Sequence, residues 1–280
     1  MSIVLFMIRR LPRSTQGRSS AASGVYKWQA PLYFVFLDTI PDLEHPFSLY
    51  EAFLEKGFHQ KIIIRTIRVA LITTMICVIL AYPCAFFIAR YAGRFKAVLI
   101  VIAVFPLLLS PVVRSFAWMA ILGKNGFVND LLLFFRIIQE PVQMLYTEGA
   151  VIVGLTYLFL PLMILPLVGV IENIEEDLLD SAKSLGAKDI IVFFQIILPL
   201  SASGLLVGCI LVFTGSLTAY TTPRLLGGDQ AMTLSTLIYQ NAMTLFEWDA
   251  ASVIAIIMIT LTILVMKIIG SLATRMNPDV

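Results

Sequence analysis

The polar side chains that are spaced for chemistry lie mainly in one stretch, residues 172–200, between two apolar runs. Asn173 and Glu176 are three positions apart, as in a capping box that begins a helix. Gly186 can adopt the left-handed backbone that ends one. Four apolar side chains recur between them at helical spacing: Leu178, Leu179, Ala182 and Leu185. This pattern indicates non-covalent recognition, in which the chain's own loops, lipid headgroups or a groove of another subunit cover an apolar helix face.

Elsewhere the chain offers few groups for covalent or metal chemistry. Its two histidines, His45 and His59, lie far from any cysteine, and we interpret the three cysteines, which lie inside apolar runs, as buried apolar residues. The sequence has no phosphate-binding loop of the Walker type, so we do not expect it to hydrolyse ATP itself. We therefore expect no catalytic residue, no metal and no cofactor, and a net charge of +2 gives no reason to expect nucleic acid as a partner.

The elements that carry these residues follow from composition. Hydrophobic residues make up 59% of the 280 residues and charged residues only 14%, whereas a soluble domain has about 25% charged residues. A bilayer crossing needs about 20 apolar residues, which must be helical because lipid offers the backbone no hydrogen-bond partner. The sequence therefore predicts an all-α, polytopic membrane protein with five clear transmembrane helices, at about 66–90, 97–121, 149–171, 199–222 and 249–271.

The N-terminal region, residues 1–41, is a basic tail with a short apolar segment, whereas residues 42–275 are expected to form the membrane domain. Residues 42–68 are amphipathic, and we expect them to lie along the membrane surface. Residues 28–41 give only about 21 Å of helix, against roughly 30 Å of hydrocarbon. If they do not cross and the polar loop lies inside, seven Lys and Arg residues are inside and thirteen outside, contrary to the positive-inside rule. This balance favours a short or irregular first crossing over loss of the first span.

The polar stretch resembles the EAA loop in permease subunits of bacterial binding-protein-dependent ABC importers. That pattern has Glu-Ala-Ala, three residues, Gly, nine residues and then Ile-x-Leu-Pro. In this chain its positions are occupied by Asp180, Ser181, Ala182, Gly186, Ile196, Leu198 and Pro199. The spacing is retained throughout, since Asp180 keeps the charge of Glu and Ser181 keeps the small size of Ala.

Two further stretches resemble the polyamine and opine branch of that family, the spermidine/putrescine-like permeases. They are residues 106–118 and residues 213–228, and the resemblance as a whole covers about residues 45–275. It implies a type I ABC importer permease fold, crossing the bacterial inner membrane several times. The substrate implied is a polyamine, an opine or a related small amino compound, with ferric ion, thiamine and sulfate as alternatives.

The resemblance also implies partners and coupling residues. The EAA loop, residues 172–198, would form cytoplasmic coupling helices that dock on a dimer of ATP-binding subunits. A second permease subunit would complete the pathway, and a periplasmic solute-binding protein would deliver the substrate. The residues implied in coupling to the ATPase are Asp180, Ser181, Ala182, Lys183, Leu185 and Gly186. On the residues alone, Asp180 has a second interpretation, an ordinary pair with Lys183 on one helix face.

Polar groups within membrane spans are costly and usually face a protein interior or a cavity. On this basis the candidates for lining a translocation pathway are Arg114, Trp118, Ser216, Tyr220 and Thr222. Alternatives remain for three of them. Arg114 is near a predicted span end and could extend towards the headgroups, and the two aromatic residues could belong to an interfacial belt.

Two other classes of function are disfavoured. A secondary transporter or channel would need ionisable residues in the middle of its spans, and the five predicted spans have none there. Such a protein would also favour two similar halves, which this sequence does not show. A membrane-embedded enzyme would need His, Cys, Asp and Glu at catalytic or metal-ligand spacing, which is missing. The sequence therefore favours a transport subunit over an enzyme.

Overall fold

The computed structural model describes Val35, Thr39, residues 47–91, Gly93 and residues 95–276, with the side chains of 272–276 excepted. Within that part the chain is almost entirely helical and has no strand. The prediction of an all-helical protein rich in apolar helices is therefore confirmed. The basic tail and the possible crossing at residues 28–41 lie outside the described residues, apart from the isolated Val35 and Thr39.

Eleven helical segments are defined in the described part of the chain. They are α1 (Ser48–Glu55), α2 (Gly57–Arg90), α3 (Lys96–Leu108), α4 (Pro111–Leu122), α5 (Phe127–Phe134), α6 (Glu148–Glu172), α7 (Glu176–Ser184), α8 (Asp189–Leu200), α9 (Ala202–Thr218), α10 (Leu234–Tyr239) and α11 (Trp248–Met276). A π-helical stretch, Phe193–Ile197, lies within α8, and two further π-helical turns are Pro223–Gly227 and Gln240–Leu245.

Three helices, α2, α6 and α11, are each long and apolar enough to cross a membrane. They correspond to the first, third and fifth predicted spans. The count rises to five if two bent helix pairs each form one span: α3 with Pro111–Phe134, bent by 93°, and α8 with α9, bent by 69°. The predicted span over 97–121 contains Pro106 and Pro111, and the structure divides this region into two helices with a sharp bend between them. Proline disfavours helical backbone in the residue before it, and Ser110 accordingly has ψ 132° and separates the two helices.

The sequence also predicts that Pro199 redirects the chain into the next span, and the second bend falls at Ser201, two residues later. The prediction for residues 42–68 was wrong in part. Helix α1 is a separate short helix, as a segment outside the spans can be. Residues 57–68, however, are the first turns of α2 and continue without a break into the first span. Two of their three cationic side chains share one carboxylate, since the Arg65 and Arg68 guanidinium groups lie 2.9 and 3.3 Å from that of Glu148.

The core lies where α2, α6 and α9 pack together. Cys77, Met163, Leu167 and Val212 belong to one buried cluster shared by these three helices. Helix α9 approaches α6 closely at Gly204, where a Cβ atom would lie only 2.7 Å from the Pro166 carbonyl oxygen. A larger residue there would push the helices apart, so this glycine permits the close packing that fixes α9 against α6.

Candidate functional site

The polar stretch between α6 and α9 forms a folded unit, which we call the helical loop (residues 172–198). It consists of α7 and most of α8. The acidic residues Glu176 and Asp177 lie in the first turn of α7, as the helix dipole favours. The predicted capping box is wrong, because Glu175 precedes the helix and its side chain makes no cap hydrogen bond. The Asn173 amide instead donates to the Gly169 carbonyl, 2.7 Å away, at the end of α6.

Gly186 ends α7 as predicted. Its φ is +90°, in the left-handed region that an L side chain rarely adopts. Its N–H donates to the Lys183 carbonyl at 2.9 Å, and the Ala187 N–H donates to the Ala182 carbonyl at 3.1 Å. These two bonds form a Schellman motif, which pairs the last carbonyls of the helix and turns the chain towards α8.

The four apolar residues predicted to share one face of α7 lie on two different sides of it. Leu179 is buried, in a cluster with Ile174, Val192 and Ile197, and Ala182 packs against the same cluster. Leu178 and Leu185 are exposed, at 45% and 90%. Positions seven apart share a helix face, so these two leucines form an outward face that no described part of the chain covers. The helical loop therefore has an apolar inner side and an outer side with exposed leucines.

The polar coupling candidates lie on the accessible side of α7. The Lys183 ammonium lies 3.0 Å from the Asp189 carboxylate at the start of α8. The alternative pairing of Lys183 with Asp180 is therefore wrong. Asp180 and Ser181 are exposed, and within the described residues the Asp180 carboxylate forms no ion pair. Asp180 is thus available to a second molecule, whereas Lys183 helps to join the two helices of the loop.

The second candidate site is a cavity of about 350 Å3 between the α3–α4 bend, the middle of α6 and the end of α9. Three of the five predicted pathway residues line it: Arg114, Tyr220 and Thr222. Trp118 and Ser216 do not. Among its described lining residues the cavity has one charged side chain, that of Arg114, and no carboxylate. Threonine and tyrosine hydroxyls supply the other polar side-chain groups.

Arg114 faces inward and does not extend towards the headgroups. The residue is only 3% exposed, and its Nη1 atom donates to the Pro106 carbonyl at 2.7 Å. That carbonyl lies in the last turn of α3, where C=O groups have no partner within the helix. The Nε atom is buried and has no hydrogen-bond partner among the described residues. Arg114 thus joins the two helices across their bend while it lines the cavity.

The remaining pathway candidates make local contacts. Trp118 lies edge-on to Tyr157, with ring centroids 5.7 Å apart. Tyr220 stacks on Tyr239 at 4.6 Å, which places an aromatic pair beside the cavity. Ser216 is buried, and its hydroxyl has no partner within the described part of the chain. In this conformation neither Trp118 nor Ser216 therefore lines the cavity.

The sequence analysis missed a buried contact that joins the loop to α2. The Tyr82 hydroxyl lies 2.6 Å from the Ser201 hydroxyl, and Ser201 is fully buried at the α8–α9 bend. The available signals were a tyrosine inside an apolar run and a serine two residues after Pro199. Nothing in the sequence alone indicated that these two residues, which are 119 positions apart, would meet.

A protein-family model described as binding-protein-dependent transport system inner membrane component matches residues 78–277. The chain belongs to this family. It is 30% identical over 203 residues to the spermidine/putrescine transport system permease protein PotB of Escherichia coli (strain K12), covering 72% of this chain and 73% of that protein. It is 32% identical over 198 residues to PotB of Haemophilus influenzae, covering 71% and 69%. The molybdenum transport system permease protein ModB of Mycobacterium bovis is 26% identical over 215 residues.

Solved structures agree with this permease family at the level of fold. A chain of the bacterial alginate ABC transporter, crystallised with a periplasmic protein that binds alginate pentasaccharide, has a TM-score of 0.73 and 17% identity. The similarity covers 98% of this permease and 91% of that chain. The protein is therefore an ABC transporter permease of the bacterial inner membrane, and the helical loop and the cavity both lie within the fold it shares with that chain.

Proposed function

We propose that this permease belongs to an ATP-driven importer in which it works with a second permease, a dimer of ATP-binding subunits and a periplasmic solute-binding protein. The observation that carries the proposal is the two-sided helical loop. Its inner side packs on the rest of the chain, while Leu178 and Leu185 are exposed. An exposed helix face with two leucines suits a complementary apolar groove in another subunit.

In this proposal the helical loop provides the coupling helices of a type I importer. Leu185, at the tip of α7, enters the ATPase groove, and the exposed Asp180 carboxylate pairs with a basic side chain or a backbone N–H there. Gly186 has no atom within 4 Å of where its Cβ would lie, so the partner can approach the backbone closely. ATP-driven closure of the two ATPase subunits then displaces the loop as a rigid body.

The arrangement in the membrane follows from this assignment. With the helical loop in the cytoplasm, the described part of the chain would cross the membrane five times, through α2, α3–α4, α6, α8–α9 and α11. The variant Lys183→Cys tests this orientation in intact cells, in a permease that has no other reactive cysteine. We expect an impermeant maleimide to label this cysteine only after the inner membrane is opened. Labelling from the periplasmic side of intact cells would reverse the orientation.

The proposed substrate is a polyamine or a related small amino compound such as an opine. Support comes from two PotB relatives, at 30% and 32% identity. Each is a permease protein of a spermidine/putrescine transport system. Tyr220 lines the cavity, and its ring, which stacks on that of Tyr239, can attract a ligand cation through its face. Since Arg114 is the charged residue of this lining, we expect the carboxylates that balance a polyamine's charge to come from the second permease or the binding protein.

Uptake by the assembled importer tests the proposal. The permease would be co-expressed with its partner subunits in cells that lack their own polyamine transport, and labelled spermidine and putrescine would be offered at micromolar concentration. We expect ATP-dependent accumulation that unlabelled polyamine suppresses. Suppression by an opine, but not by polyamine, would assign the other substrate class. ATP-independent uptake by the permease alone would contradict the proposed function.

A further inference from the structure

The helical loop rests on one stripe of α2. Tyr82, Phe86 and Arg90 are spaced four residues apart, so they lie on the same helix face. Each of them contacts a different part of the loop or of the bend that follows it. The end of α2 is thus a support that runs along the whole inner side of the helical loop.

Tyr82 holds the α8–α9 bend. The Ser201 hydroxyl donates to the Ile197 carbonyl at 2.6 Å, which uses its one hydrogen. The Tyr82 hydroxyl, 2.6 Å from the Ser201 oxygen, must therefore be the donor in the second bond. The Tyr82 ring also lies edge-on to Phe193 in α8, with centroids 5.3 Å apart. One side chain of α2 thus contacts both sides of the bend.

Phe86 and Arg90 hold the rest of the loop. Phe86 packs against the buried cluster that contains Ile174 and Leu179. The Arg90 Nη1 atom donates to the Ile174 carbonyl at 3.0 Å and lies 3.6 Å from the Glu176 carboxylate. These contacts lie after Pro83 in α2, whereas Tyr82 precedes it. Because proline removes one hydrogen bond from its helix, the loop reinforces α2 on both sides of its weakest point.

We propose that Tyr82 and Ser201 are positioning residues that join the helical loop to α2, so that a displacement of the loop moves α2 and, through it, the core with α6 and α9. This inference rests on the proposed function, in which an ATPase displaces the loop. Without the Tyr82–Ser201 bond, α2 would still contact the loop through Phe86 and Arg90 near the end of the helix, but its hydrogen bond to the α8–α9 bend would be lost. The bond therefore contributes to how much of the ATPase motion reaches α2 and the core that it shares with α6 and α9.

The test uses the complete importer in proteoliposomes and measures the number of ATP molecules hydrolysed per solute transported. Tyr82→Phe removes only the hydroxyl and keeps the ring contact with Phe193. Ser201→Ala removes the acceptor, and Ser201→Thr restores a hydroxyl. We expect each of the first two variants to raise the ATP cost per solute about fivefold, as loss of one buried hydrogen bond allows, while the stimulated ATPase rate stays unchanged.

The double variant Tyr82→Phe with Ser201→Ala should be no worse than Ser201→Ala alone, because both substitutions remove the Tyr82–Ser201 bond. Ser201→Thr should retain the ratio of the unsubstituted protein. Thr74→Val is a matched control, since it removes a buried α2 hydroxyl that bonds only to Ala70 of its own helix. An unchanged ratio in Tyr82→Phe and Ser201→Ala would overturn the inference. So would a proportional fall of ATPase and transport, which indicates a purely structural role. If the complex with the unsubstituted permease shows no ATP-dependent uptake, the result would overturn the proposed function instead.

Discussion

In the described part of the chain two pairs of helices are sharply bent at a short break, and the two breaks are built differently. At the α3–α4 break, which bends by 93°, one side chain, Arg114, joins the helices through the Pro106 carbonyl. Around it, Val112, Val113 and Phe116 are exposed. At the α8–α9 break, which bends by 69°, Ser201 is fully buried and α9 lies in close contact with α6.

The difference indicates two mechanical roles. A break that depends on a single polar side chain beside a cavity can change its angle at modest cost, because few packed atoms must separate. A break surrounded by close packing transmits force without changing shape, since protein interiors are dense and resist deformation. We infer that the α3–α4 break adjusts during transport, whereas the α8–α9 break moves as part of a rigid body.

The largest effect is expected from filling the rigid region. Gly204→Leu would place a Cβ atom 2.7 Å from the Pro166 carbonyl oxygen, and backbone atoms cannot rotate away. We expect a loss of about 1–3 kcal/mol of stability or more, visible as a lower thermal-unfolding midpoint in detergent. Gly169→Leu on α6 is the control, because nothing lies within 4 Å of its Cβ position. Equal midpoints for the two variants would show that the α6–α9 contact is not tight.

A smaller effect on stability, with a large one on transport, is expected at the tip of the loop. Gly186→Trp must adopt φ near +90° and would project from the docking side of the loop. We expect insertion to be normal and uptake to fall about tenfold, in line with a strain of 1–2 kcal/mol and the obstruction of the partner. Gly186→Asn should be largely tolerated, because Asn adopts left-handed backbone more readily. Normal uptake by Gly186→Trp in vesicles would argue against docking at this tip.

An effect on stability of similar size is expected at the adjustable break. Arg114→Met fills a similar volume but leaves the Pro106 carbonyl without its donor. Loss of a hydrogen bond from a charged group corresponds to about 1.5–3 kcal/mol, so the unfolding midpoint should fall by an amount comparable with that of Gly204→Leu. Arg114→Lys should recover part of this loss if a single donor suffices to hold the break. A midpoint for Arg114→Met that equals that of the unsubstituted protein would remove the basis for treating this residue as the tether.

The smallest effect on the isolated protein is expected from Asp180→Asn. Its carboxylate is exposed and forms no ion pair within the described residues, so the unfolding midpoint should not change. In the assembled importer we expect weaker stimulation of the ATPase, because the proposed partner loses its counter-charge. The matched control is Asp189→Asn, which breaks the exposed pair with Lys183. If both variants stimulate the ATPase equally well, Asp180 has no special role.

Several features of the helical loop were predictable because they depend on local sequence. Gly186, three residues before the second helix begins at Asp189, ends α7, and Pro199 lies just before the bend that leads into α9. The capping box failed because an asparagine amide can close the preceding helix as readily as it begins the next. The direction of Leu178 and Leu185 could not be predicted, since a short amphipathic helix in isolation does not reveal which of its apolar residues find neighbours.

The cavity was harder to predict because it depends on a break that hydropathy does not detect. Residues 97–113 carry no charge and only one polar side chain, that of Ser110. The Ser110–Pro111 pair was the local signal that the helix would end there. Once it bends, Arg114 finds a partner on the helix before it and turns inward, while Trp118, one turn further on, contacts Tyr157 instead. Grouping Arg114, Tyr220 and Thr222 around one cavity required the tertiary structure.

The buried arginine also has a consequence for biogenesis. Inserting an arginine into a lone apolar helix costs at most about 2.5–3.5 kcal/mol, and the acceptor of the hydrogen bond that offsets part of this cost for Arg114 is a carbonyl eight residues earlier in the chain. The acceptor is thus already synthesised when the arginine emerges from the ribosome. The segment from Lys96 to Leu122 can therefore leave the insertion machinery as a bent helix pair, with one hydrogen bond of the guanidinium already formed, before α6 has been translated.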